Sequence, residues 1–161
     1  MLGQLEQGVC PFCGGEATTM REEELTGKEW TELGVSWLEL EEPKDAAGLK
    51  WFRKAALLGD PWGICNLGWC MEEGIGTEAD PRQAVWLYRQ AAELGYAPAL
   101  CHLGVCLETG NGTVAQPEEA VACYKQAAEE NIPRAMQMLA SCYWRGVGVK
   151  KDRKKALFWI G

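Results

Sequence analysis

The sequence predicts an all-α fold, a right-handed α/α superhelix (solenoid) of helix–turn–helix repeats. A 36-residue period runs through most of the chain, and small residues recur within it where turns and close helix contacts need them. Ala55-Ala56 recurs as Ala91-Ala92 and Ala127-Ala128, and Gly68 recurs as Gly104 and then Ala140. Gly74-Ile75-Gly76 recurs as Gly110-Asn111-Gly112 and Gly146-Val147-Gly148. Asp80, Gln116 and Asp152 share a register, as do Ala84, Ala120 and Ala156.

Each unit reads as two helices. The first is expected from about Trp62 to Glu73, stopping at the Gly-x-Gly turn, where glycine supplies the left-handed backbone that ends a helix. The second starts at Pro81 or Pro117, since proline suits a first helical turn. It carries Ala84, Leu87, Tyr88, Ala91 and Ala92 at helical spacing and ends near Gly95. One such hairpin cannot bury its apolar face alone, so the units must stack.

These residues resemble the Sel-1-like repeat, a tetratricopeptide-type family. Its usual pattern is met by Leu103-Gly104, Gly110-x-Gly112, Ala120, Tyr124 and Ala127-Ala128 in one copy. Another meets it at Leu139, Tyr143, Gly146-x-Gly148-Val149, Asp152, Ala156 and Trp159. Met71 and Leu107 stand where the family prefers tyrosine. A degenerate copy with Leu33-Gly34, Trp51-Phe52, Ala55-Ala56 and Gly59 lacks the Gly-x-Gly turn and is two residues short. The expected organisation is a repeat domain over 29–161, with copies at 29–59 (degenerate), 60–95, 96–131 and 132–161 (incomplete). The last copy stops before its Ala-Ala pair and leaves Leu157, Phe158, Trp159 and Ile160 with no following helix to cover them. Solenoids normally end in a polar cap, so the expectation is either that the natural chain continues or that this end packs against another molecule, as in self-association.

Residues 1–28 form an acidic segment ahead of the repeats. Within it Cys10-Pro11-Phe12-Cys13-Gly14 is similar to half a zinc knuckle, which makes Cys10 and Cys13 candidate zinc ligands. A structural zinc takes four ligands, and no second pair follows. A zinc-dependent adaptor, the remnant of a RING or zinc ribbon, is therefore the alternative reading. The other cysteines fall mostly on repeat positions: Cys65 with Cys101, and Cys70 with Cys106 and Cys142. They read as small buried hydrophobes, not as a disulfide framework.

The charge is uneven. Net charge is −7; residues 1–45 hold 11 acids against 3 bases, and residues 146–161 hold 1 against 5. An acidic chain makes nucleic acid or an anionic membrane an unsuitable main partner. The start, Met1 to Glu6, lacks the basic and apolar regions of a secretory signal, so the expected location is cytoplasmic.

No motif of nucleophilic, phosphate-binding or metalloprotease chemistry occurs, and His102 is the sole histidine. A scaffold is expected, not an enzyme. Some cysteine-rich members of the family bind β-lactams, which makes a weak hydrolase the remote alternative, but their disulfide spacing is absent here. In tetratricopeptide-type repeats the first helices line a concave groove, at positions three, four and three apart. That resemblance assigns Trp62, Cys65, Trp69, Glu72 and Glu73 to the groove, then Cys101, Val105, Glu108 and Thr109. The third set is Arg134, Gln137, Ser141, Trp144 and Arg145. Tryptophans would anchor apolar residues of a bound peptide or partner protein, and Glu72, Glu73 and Glu108 would meet basic ones. Trp51 and Trp86 read as structural.

Overall fold

The computed structural model describes residues 25–39 and 46–161, which form eight α-helices and no strand. They are α1 (Gly27–Leu38), α2 (Ala46–Leu57), α3 (Pro61–Glu73), α4 (Pro81–Glu93), α5 (Ala97–Thr109), α6 (Pro117–Glu129), α7 (Pro133–Arg145) and α8 (Arg153–Ile160). Each odd helix pairs with the even helix that follows, and each hairpin stacks on the next. The result is the all-α repeat array that the period predicts.

Capping residues start the helices where the sequence places them. Thr26 and Glu29 form a reciprocal capping box at α1. Asp60 accepts from the Gly63 amide at α3 (2.8 Å), Asp80 from Gln83 at α4 (3.1 Å) and Asp152 from Lys154 at α8 (3.0 Å). Gln116, in the same register, makes no side-chain cap. The first helices of the three complete turns end on Gly74, Gly110 and Gly146, all left-handed (φ 70°, 76° and 77°). The loop after each closes with the same backbone bond: Asp80 N–H to Met71 C=O, Gln116 to Leu107 and Asp152 to Tyr143.

Glycines set how closely the layers approach. A Cβ on Gly104 would stand 2.4 Å from the Tyr124 ring, and one on Gly34 would stand 2.5 Å from the Phe52 ring. These aromatics therefore lie flush against the first helix of their own repeat. A Cβ on Gly112 would meet the Pro81 carbonyl at 2.2 Å, and one on Gly148 the Pro117 carbonyl at 2.1 Å. The second glycine of the turn thus seats each repeat on its predecessor.

The core runs without a break through the stack, from Trp37, Leu49 and Phe52 through Tyr88 and Leu107 to Tyr124 and Leu139. Thr31 adds a polar bond where the degenerate first repeat meets the second: it is fully buried and donates from Oγ1 to the carboxylate of Asp60, the cap of α3.

Candidate functional site on the inner face

The packing identifies the inner face. Among the described residues, odd helices approach one another across repeats, α1 with α3 and α5 with α7, and no two even helices do so to a comparable extent. At α1–α3 and α5–α7 the first helices thus lie on the more closely packed side of the stack, the side that is concave in a curved repeat array.

Partly exposed side chains recur on these helices with the 36-residue period. Trp62, Pro98 and Arg134 form the row at the N-terminal edge; Asn66, His102 and Met138 form the second. Trp69, Val105 and Ser141 form the third, and Glu73, Thr109 and Arg145 the C-terminal edge. Trp69, Val105 and Met138 pack partly on the core and give the face an apolar floor.

Most of the expected groove residues are partly or fully exposed on α3, α5 and α7, and two are not. Cys65 and Cys101 are buried (6% and 2% exposed) and belong to the core, so their thiols are closed to a partner. The partly exposed positions are one residue on, at Asn66 and His102, and Met138 accompanies the exposed Gln137 in that row. Trp86 also departs from expectation: it is 58% exposed on outer helix α4, whereas Trp51 does pack on the core. Cys10 and Cys13 lie outside the described residues. Among those described, no cluster of three metal-ligating side chains occurs.

Two of the expected groove acids are already engaged. Glu72 accepts from the Tyr88 hydroxyl (2.7 Å) and from Asn111 Nδ2 of the next repeat (3.0 Å), with the Cys106 thiol at 3.7 Å. Glu108 repeats the pattern: it accepts from the Tyr124 hydroxyl (3.1 Å) and pairs with Arg145 of the next repeat (2.5 Å). Arg145 is steadied in turn by Ser141, which accepts from its Nε at 3.1 Å. These carboxylates hold repeats together, so the unengaged acid of the trio is the exposed Glu73. Trp144 is 48% exposed, with the Arg153 guanidinium 5.3 Å above its ring.

Burial governs ionisation here. Desolvation, helped by the neighbouring Glu72, pushes the Cys106 thiol up to about 12; burial pushes Cys65 up to about 12 and Cys142 up to about 11. The described cysteines are all buried, as the repeat register suggested. Cys101 and Cys123 are raised by burial as well, the reverse of the depressed ionisation of a nucleophilic thiol. His102 stacks on Tyr88, with ring centroids 5.0 Å apart and planes 20° apart. Burial lowers its basicity, and Arg134 lowers it further.

The model of the Sel1 repeat matches residues 41–60, 63–96, 97–132 and 133–160, well over half the chain. The protein belongs to the Sel1 repeat family. Among solved structures, a Sel1 repeat protein from Oxalobacter formigenes is similar at 33% identity and a TM-score of 0.76, over 83% of this chain and 54% of that one. A protective antigen of uropathogenic Escherichia coli strains, with an SLR fold, is similar at 33% identity and 0.78, over 85% of this chain and 30% of that one. This chain therefore spans about half the length of the first and under a third of the second. Helicobacter pylori cysteine-rich protein B shares the fold at 21% identity and a TM-score of 0.60, over 70% of this chain and 90% of that one. The search of curated proteins gave no match. Sel1 repeat proteins generally mediate protein–protein interaction, and the family is generally non-enzymatic.

Proposed function

We propose that this Sel1 repeat chain is a binding scaffold whose inner face captures an extended peptide segment of a partner protein. The observation that carries the reading is the apolar stripe of Trp62, Trp69, Val105 and Met138, which stays partly exposed along the first helices. Tryptophan in a concave, partly desolvated setting is the side chain that most often anchors a partner. The periodic spacing suits an extended segment, which could meet one row after another. A reducing compartment such as the cytoplasm is part of the same proposal, because cysteines buried as small core residues suit it.

The test is a selection of peptides from a random display library on the native chain. Binding of the selected peptides should weaken at least tenfold in Trp69→Ala/Trp144→Ala, with circular dichroism unchanged. Undiminished binding by that variant would overturn the assignment to the inner face.

A further inference from the structure

The inner face is electrically divided. Its acids, Glu72, Glu73 and Glu108, stand toward the C-terminal edge, and two of them are held by Tyr88, Asn111, Tyr124 and Arg145. The N-terminal half presents Trp62, Asn66, Pro98, His102, Arg134 and Met138, with no carboxylate among them. Arg134 is exposed there and forms no ion pair with a described residue. It stands on α7, which packs beside α5, in the row next to that of His102, and its charge acts on His102 and Cys101.

His102 is held in place by its stacking on Tyr88. The charged groups that bear on it come from two elements: Glu72 of α3 favours the protonated ring, and Arg134 of α7 opposes it. Tyr88 of α4 supplies a neutral ring whose ionisation is pushed far up by burial and by its bond to Glu72. From α6, the outer neighbour, no charged group acts on it. The imidazole is therefore partly buried, neutral near pH 7, and beside an uncompensated guanidinium.

Resting on the proposed capture of a peptide, we infer that the captured segment is acidic: one of its carboxylates sits between Arg134 and His102, and binding takes up a proton at His102. Arg134 supplies a fixed cation with a geometry suited to carboxylate. A carboxylate placed there cancels the field of Arg134 at the imidazole and adds an attraction of its own, so the protonated ring becomes the favoured form in the complex. By linkage, the affinity then rises as the pH falls toward 6. The chain as a whole is acidic and would draw basic segments, so Arg134 is a local exception that selects against that trend.

The experiment uses the same display selection, run on the native chain at pH 6 and at pH 8, and a synthetic consensus peptide from each. Selected sequences should carry Asp or Glu within a few positions of a large apolar residue. Amide replacement of that acid should weaken binding about tenfold for the native chain and less than twofold for Arg134→Gln. Because His102 is the sole histidine, its ring resonance can be titrated with and without peptide. Its pKa should rise by about one unit on binding, which corresponds to a tenfold pH effect on affinity. His102→Gln should bind with no pH dependence between 6 and 8. Selected peptides rich in Lys or Arg, or a histidine titration that peptide leaves unmoved, would overturn this inference. If those peptides still lose binding with Trp69→Ala/Trp144→Ala, the capture reading stands without it. Failure to select any peptide, or binding indifferent to the tryptophan variant, overturns both.

Discussion

The Tyr88 hydroxyl donates to Glu72 across 2.7 Å, tying the second helix of a repeat to the last turn of its first. Asn111 of the following repeat donates to the same carboxylate at 3.0 Å, so one acid links two repeats. A hydrogen bond to a charged group contributes about 1.5–3 kcal/mol. Tyr88→Phe, which keeps the ring beneath His102 and removes the donor, should lower stability by that amount. Urea unfolding reads the loss as a lower midpoint. Equal midpoints would mean that water replaces the phenol at Glu72.

Two glycines separate backbone strain from collision. Gly95 (φ 86°) has nothing within 4 Å of a built Cβ, whereas Gly112 (φ 73°) would bring its Cβ to 2.2 Å from the Pro81 carbonyl. Gly95→Ala should cost about 1 kcal/mol, the penalty of a left-handed alanine. Gly112→Ala carries that penalty and must also push two repeats apart, so its thermal midpoint should fall well below that of Gly95→Ala. Matching midpoints would show that the repeat interface gives way freely.

The period made the hairpins, their glycine turns and the alanine contacts legible, because each needs a small or left-handed residue at a fixed place. Its phase against the core was less legible. Equivalence at 36 residues says that Cys65 and Cys101 share an environment, but not whether that environment is groove or core. A helix turns about 100° per residue, so an error of one position exchanged Cys101 for His102. Trp86 did carry a signal: it falls outside the Ala84, Leu87, Tyr88 and Ala91 stripe that faces inward. The bonds from Glu72 to Asn111 and from Glu108 to Arg145 left none, since their partners occupy different repeat positions.

Buried thiols predict weakness in alkali. Cys65 and Cys106 are raised to about 12 in the fold, and Cys123 and Cys142 to about 11, against an ordinary value of 9.0. The unfolded chain then loses these protons first, so the stability they contribute is full below about pH 9. It declines as the pH rises toward 11 to 12, by about 1.4 kcal/mol per pH unit for each thiol. Thermal midpoints should hold level from pH 7 to 8.5 and drop steeply above 9. Alkylation at pH 8, read peptide by peptide, should leave these four cysteines unmodified until denaturant is added. Rapid modification of Cys106 in the folded protein would contradict its burial.

A buried polar bond ties the first repeat to the second. Thr31 is completely buried, and its hydroxyl donates to Asp60, whose carboxylate also accepts from the Gly63 amide at 2.8 Å to start α3. Valine fills nearly the same space but leaves Asp60 without that donor. Thr31→Val should therefore cost about 1.5–3 kcal/mol, and Thr31→Ser, which keeps the hydroxyl, should cost less. In a solenoid each repeat touches only its neighbours, so the damage should stay local. Amide exchange should accelerate across α1 and α2 and leave α5 to α7 protected. Uniform acceleration along the array would mean that the repeats unfold as one unit, with the degenerate first copy as integral as the others.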